Sequence, residues 1–288
     1  MTDTPTPGAI QLLRIFRLVL HLLQGVVTAG TLLRYAREPW RSRIIRSWAA
    51  KLLVILKVEA RVKGNIPTLA TRGVMFVSNH VSWMDVWLLQ SVRPVRFISK
   101  ADVRGWPIVG YLAEKGGTLF IHREKRHHTA AIVGQAEAVL TQGDCLALFP
   151  EGTTTNGLRL RAFHPSLFQV AVDQGRAITL VTIRYVFEDG GIDTAPAYAD
   201  EITMPESMRA ILARRKIFAE VTYFDTLDAR GKTRRALALE AEAAIAKALN
   251  LPIPHKASGK PAGPPNESQT AARPTDNPYP APHDGSPP

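Results

Sequence analysis

Val74-Met75-Phe76-Val77-Ser78-Asn79-His80-Val81-Ser82-Trp83-Met84-Asp85 is an apolar, β-prone run that delivers a histidine, with a carboxylate five positions later. A strand over Val74–Ser78 followed by a helix over Trp83–Val92 would leave His80 at the lip of the strand. Histidine there is a candidate general base, because its ordinary pKa of about 6.5 lies close to working pH. Asp85, folding back, would hydrogen-bond the far ring nitrogen, fix the tautomer and stabilise the imidazolium. A capped helix start beside a structural histidine fits the same residues, and on this pair alone both readings stand. The chain has no G-x-S-x-G elbow, so a base here would act on a hydroxyl brought by the substrate.

Working outward, strand and helix signals alternate. Strands are expected over Val95–Ser99, Thr118–Ile121, Cys145–Phe149, Ile178–Phe187 and Lys216–Phe224. Helices are expected over Pro107–Lys115, His128–Thr141, Ser166–Asp173 and Thr233–Leu249. That rhythm predicts an α/β fold with a mixed, largely parallel sheet flanked by helices. Sites in such sheets lie off the carboxyl ends of the strands, and His80, Arg123 and Glu151 each follow an expected strand.

The 288 residues divide by composition into three parts. Residues 1–57 read as membrane-associated helices, Ile10–Leu33 and Trp40–Lys57, dipping into one leaflet, with a single crossing as the alternative. The uncharged stretch Leu18–Leu33 is sixteen residues long, short of the roughly twenty a bilayer requires. No small-x-small cleavage site marks a signal peptide. Residues 1–63 hold eleven Lys and Arg against three acids, +8 of a formal net charge of +11. Basic residues beside an apolar helix favour anionic lipid by about 1 kcal/mol each near the surface. No helix-turn-helix, zinc-finger or RNP signature accompanies them, so nucleic acid is not the expected partner. Residues 58–250 form the α/β domain. Residues 251–288 read as a disordered tail, since 252–288 hold eleven of the 21 prolines and almost no large aliphatics. The single cysteine, Cys145, excludes an internal disulfide and lies in an apolar run that suits packing.

Two further blocks carry chemistry. Gly116-Gly117-Thr118-Leu119-Phe120-Ile121-His122-Arg123 sets glycines before a short strand and arginine after it. Glycine admits close backbone approach, and arginine offers a planar fork for phosphate oxygens. Phe149-Pro150-Glu151-Gly152-Thr153-Thr154-Thr155 puts a carboxylate and three hydroxyls on a turn off a buried strand, where an ordinary turn with a helix cap is the plain alternative. His80, Asp85 and Glu151 lack a second histidine at ligand spacing, so no metal site is expected.

In this order and spacing the three blocks resemble the glycerolipid acyltransferase family, best known through the 1-acylglycerol-3-phosphate (lysophosphatidic acid) acyltransferases, over roughly Val58–Leu227. The resemblance implies an enzyme in which His80 deprotonates the acceptor hydroxyl and Asp85 orients it. It further implies that Arg123 with Gly117 holds the acceptor's phosphate or head group, and that Glu151, Gly152 and Thr153 shape the acceptor site. The donor would be an acyl-CoA or acyl carrier protein thioester, with no cofactor. The expected reaction converts 1-acyl-sn-glycerol-3-phosphate to phosphatidic acid at the cytoplasmic face of a bacterial inner membrane. Another lysolipid, such as lyso-ornithine lipid, is the alternative acceptor; a lipid hydrolase or a non-catalytic membrane-tethered lipid-binding module are the rivals of another class. Two departures bear on the acceptor or acyl chain: Leu180 stands where the family carries proline before Val181-Thr182-Ile183, and Phe163-His164-Pro165-Ser166 replaces a Phe-Lys-Gly pattern.

Overall fold

The computed structural model describes residues 5–121, 126–199 and 201–257. Its helices are α1 (Gly8–Gly30), α2 (Leu32–Tyr35), α3 (Trp40–Ile55), α4 (Met84–Val92), α5 (Val109–Gly116), α6 (Arg126–Thr141), α7 (Gln169–Asp173), α8 (Met204–Ala213), α9 (Arg234–Leu249) and α10 (Pro254–Ala257). Its strands are β1 (Val58–Gly64), β2 (Met75–Ser78), β3 (Arg96–Lys100), β4 (Leu119–Ile121), β5 (Leu146–Leu148), β6 (Ile178–Val186) and β7 (Ile217–Leu227).

The strands form one seven-stranded sheet in the order β1-β7-β6-β2-β5-β3-β4. Every neighbouring pair is parallel except β6 and β7, so the mixed, largely parallel sheet expected from the sequence is the one observed. β2, β5, β3 and β4 run together, and their carboxyl ends share one edge. The expected strands and helices recur within a few residues of their predicted bounds. Three elements went unforeseen: β1, α8 and the short α10, which lies within the residues expected to form a disordered tail. β1 alternates Val58, Ala60 and Val62 with Glu59, Arg61 and Lys63 on an edge of the sheet. α8 opens with a capping box, in which the Thr203 amide and hydroxyl both donate to Glu206 Oε2 at 2.8 and 2.7 Å.

The sheet separates two apolar layers. Phe76, Val181, Ile183 and Tyr185 face α3 and α4 on one side, with Leu52, Leu56, Met84 and Leu88. Met75, Val77, Ile178 and Leu180 face α7 and α9 on the other, with Phe168, Leu237, Ala241 and Ile245. Leu251 and Ile253, beyond α9, pack against this second layer. Cys145 is free and buried, with Arg93 Nη2 donating to its sulfur at 3.2 Å.

α1 is amphipathic in the sense opposite to that of a water-soluble surface helix. Its buried positions are Arg14, Leu18, His21, Gly25, Thr28 and Ala29. Its outward face carries Leu12, Leu13, Phe16, Leu20 and Leu23, with Leu12 68% and Phe16 59% exposed. The stretch Gly8–Tyr35 is long and apolar enough to cross a membrane. Inward-facing polar groups pin this helix down. Arg14 Nη1 donates to the carbonyls of Leu212 and Arg214 at the end of α8, at 3.2 and 2.7 Å. His21 stacks on Trp48 of α3, centroids 4.5 Å apart, and their side chains donate reciprocally to each other's backbone carbonyls at 3.0 and 3.3 Å. Gly25 lies beneath that indole, where a Cβ would fall 2.7 Å from a ring carbon. Trp48 in turn meets Trp87 of α4 edge-on at 5.1 Å, so α1 and α3 are braced against the helix that carries Asp85.

Candidate active site

β2 ends at Ser78, and the residues just past it are held by side chains rather than by the ladder. Asn79 Nδ2 donates to Ile183 O at 2.9 Å while its Oδ1 accepts from Ile183 N at 2.8 Å. The amide thus extends β2's pairing with β6 by one side chain. The chain then turns into α4. Ser82 Oγ accepts from the Met84 amide at 3.3 Å, and Asp85 Oδ2 accepts from the Ser82 amide at 2.9 Å and the Val81 amide at 2.7 Å. This reciprocal pattern caps the start of the helix.

The same Asp85 oxygen lies 2.8 Å from His80 Nδ1. One carboxylate oxygen therefore both caps α4 and fixes the orientation of the imidazole. The other Asp85 oxygen accepts from the Tyr185 hydroxyl at 2.7 Å. Four donors satisfy a carboxylate that is 0% exposed, which keeps a buried charge affordable. Burial, and then the Asp85 charge, drive the Tyr185 hydroxyl well above its ordinary pKa, so it remains a donor. With Nδ1–H given to Asp85, the His80 Nε2 lone pair faces outward. Among the described residues it has no hydrogen-bond partner, and the side chain is 18% exposed. The ring stacks flat on Phe149, centroids 3.9 Å apart and 9° between planes.

β5 brings the second block alongside. Pro150 and Glu151 occupy the centre of a turn closed by the Gly152 amide donating to Phe149 O at 3.1 Å, and Gly152 takes a φ of 74° that favours glycine. Glu151 is 3% exposed. Its Oε1 accepts from the His80 amide and its Oε2 from the Arg161 amide, both at 2.8 Å. Burial pushes its carboxyl up to about 7, against the pull of those two amides and of the Arg161 charge, with Asp85 adding to the rise. Thr153 is half-buried on the same loop. Thr154 Oγ1 donates to Tyr198 O, and the Thr155 amide donates to His80 O at 2.9 Å.

His80, Asp85, Glu151, Gly152 and Thr153 are thus brought to one edge of the sheet. Gly117 is not. It ends α5 in the left-handed region at φ 87°, its amide donating to Glu114 O and that of Thr118 to Ala113 O, both at 2.9 Å, the Schellman pattern of a helix end. It lies before β4, at the amino edge, where a Cβ would sit 3.0 Å from Arg96 Nη1. β4 is also three strands from β2, roughly 14 Å across the sheet. Arg123 lies outside the described residues. Among the described residues no cluster of His, Cys, Asp and Glu could hold a metal ion.

The acyltransferase family model matches residues 57–186, which span β1 to β6 and include every residue of this edge. The chain is 37% identical over 211 residues to lyso-ornithine lipid O-acyltransferase of Pseudomonas aeruginosa, covering 73% of this chain and 80% of that one. The protein belongs to the acyltransferase family. It is also 34% identical over 189 residues to 1-acyl-sn-glycerol-3-phosphate acyltransferase of Neisseria meningitidis, covering 66% and 73% of the two chains. Lyso-ornithine lipid O-acyltransferase of Rhodobacter capsulatus is 30% identical over 244 residues, 83% of this chain and 86% of that one. The crystal structure of the 1-acyl-sn-glycerophosphate acyltransferase PlsC of Thermotoga maritima shares the fold, with a TM-score of 0.55 at 17% identity over 86% of this chain and 99% of that one.

Within this acyltransferase, Tyr185 is the site residue that sequence reasoning missed. Nothing local marks it, since its strand also carries Thr179, Thr182 and Arg184, and its partner is 100 positions away. Asn79 was read within the motif, but its bond to Ile183 spans 104 positions and had no local sign.

Proposed function

We propose that this acyltransferase moves an acyl chain from an acyl thioester, on coenzyme A or acyl carrier protein, to the free hydroxyl of a lysolipid, with His80 as general base. The observation that carries the reading is the half-open His80 ring, whose Nδ1 is committed to a fully satisfied Asp85 while Nε2 is unpartnered among the described residues. As the acceptor oxygen attacks the thioester carbonyl, Nε2 takes its proton. The tetrahedral intermediate then collapses by expelling the thiolate, which recovers that proton from the imidazolium. Asp85 holds the tautomer that makes this possible.

Lysophosphatidic acid, giving phosphatidic acid, is the acceptor first expected from the motifs. Lyso-ornithine lipid is the second reading, favoured by the Pseudomonas and Rhodobacter relatives. Either acceptor lives in a bilayer. The outward apolar face of α1 and the +8 charge of residues 1–63 suit a seat on anionic lipid, at the cytoplasmic face where acyl thioesters are found.

The test is incubation of the membrane-bound protein with labelled acyl-CoA or acyl carrier protein and a panel of lysolipids. Label appearing in a diacyl lipid only when a lysolipid is present supports the reading, and the productive lysolipid names the acceptor. Free fatty acid released equally without lysolipid would make the protein a hydrolase instead.

A further inference from the structure

The resemblance assigned Glu151 to the acceptor site, and its environment contradicts that role. A side chain that meets a lysolipid head group needs a free polar atom and exposure. Glu151 has neither: it is 3% exposed, and each oxygen already accepts a backbone amide at 2.8 Å.

What those two amides belong to defines the alternative. One is the amide of His80, which lies past the end of β2 and has no ladder partner. The other is the amide of Arg161, ten residues along the loop that Glu151 begins. The carbonyl of His80 is taken by the Thr155 amide at 2.9 Å, and its ring is covered by Phe149 at 3.9 Å. The backbone and one ring face of His80 are therefore gripped by a single segment, 149–161, and Glu151 closes that segment on itself.

Resting on the reading of His80 as the base, we propose that Glu151 is a positioning residue, fixing the backbone of His80 and hence the direction of Nε2. Asp85 sets the ring's tautomer and rotation, while Glu151 sets the backbone from which the ring hangs. Neither suffices alone, because a ring fixed about its own bonds still moves with its Cα. A displacement of about 1 Å at a reacting atom is enough to cost about 10²-fold in rate.

The test is Glu151→Gln, which keeps the shape but offers one acceptor oxygen and turns an NH₂ donor toward the second amide. The kcat should fall about 10–100-fold, with the KM for lysolipid within about twofold of the native enzyme. Glu151→Asp retains the charge but is too short to reach both amides, and should show the same split. A raised acceptor KM with kcat kept, in either variant, would return Glu151 to the acceptor site and overturn the proposal. Hydrogen exchange on the native enzyme gives a readout that needs no variant: the His80 amide should be protected, and rapid exchange there also overturns it. His80→Ala separates the two levels. If that variant retains turnover, the base reading fails; if it is inactive while Glu151→Gln alters only KM, the positioning role alone fails.

Discussion

The His80 edge and the α1–α3 pair solve opposite problems with polar groups. At the His80 edge, Asp85, Glu151 and Asn79 each spend both side-chain polar atoms on neighbours, and one nitrogen of His80 faces out. In α1 the polar side chains Arg14, His21 and Thr28 turn inward, while Leu12, Leu13, Leu20 and Leu23 face outward. The first arrangement leaves exposed the one nitrogen proposed to meet the acceptor hydroxyl. The second presents hydrocarbon to its surroundings and uses polar groups only to fasten the helix. The two regions meet through Trp48 and Trp87, which pack edge-on between α3 and α4.

The largest effect should come from reversing the outward face. Leu13, Phe16 and Leu20 are all exposed on α1. Replacing the three with Glu removes about 6 kcal/mol of favourable transfer to hydrocarbon, at roughly 2 kcal/mol per side chain. The variant should leave the membrane fraction on sedimentation while its thermal unfolding stays within a few degrees of native. Continued sedimentation with membranes would show that this face is not the seat.

Next in size is His80→Ala. General-base assistance is worth about 10²–10⁴-fold, so kcat should fall by that much. Asp85 keeps its bonds from Val81, Ser82 and Tyr185, so the fold should survive, and a folded variant with near-native turnover would remove His80 from the chemistry. Asn79→Ala should act on stability instead. It strips partners from the amide and carbonyl of buried Ile183, costing about 4 kcal/mol at about 1–3 kcal/mol per orphaned group. Urea unfolding measures this, and a loss below about 1 kcal/mol would mean that water replaces the side chain.

These residues also show what could be read in advance. The alternation of strands and helices, and the placing of His80, Asp85 and Glu151 after β2 and β5, are local patterns and were legible. The antiparallel entry of β7 beside β6 was not, because it depends on pairing across the whole sheet. β1 hid its apolar alternation behind three charges that an edge strand tolerates. Gly117 looked like a ligand-approach glycine, yet its φ of 87° serves a helix end. Glu151 was found as a site residue, but the direction of its carboxylate depends on where two amides, 71 and 10 positions away, come to rest.

The smallest predicted effect sharpens the contrast from the site's side. The outward leucines of α1 do not titrate, whereas the buried carboxyl of Glu151 does, at about 7 in the folded protein against an ordinary 4.5. Between those values the native state binds more protons than the unfolded chain, so stability must fall as pH rises through that window. The contribution is fully present below pH 4.5 and lost above pH 7, about 3 kcal/mol at 1.36 kcal/mol per pKa unit. Glu151→Gln cannot titrate and lacks this slope. Unfolding both proteins in urea from pH 4.5 to pH 8 should therefore show the gap between them shifting toward the variant as pH rises. Parallel curves would mean that the two amides and Arg161 hold the carboxylate ionised throughout, and that its grip on His80 is indifferent to pH.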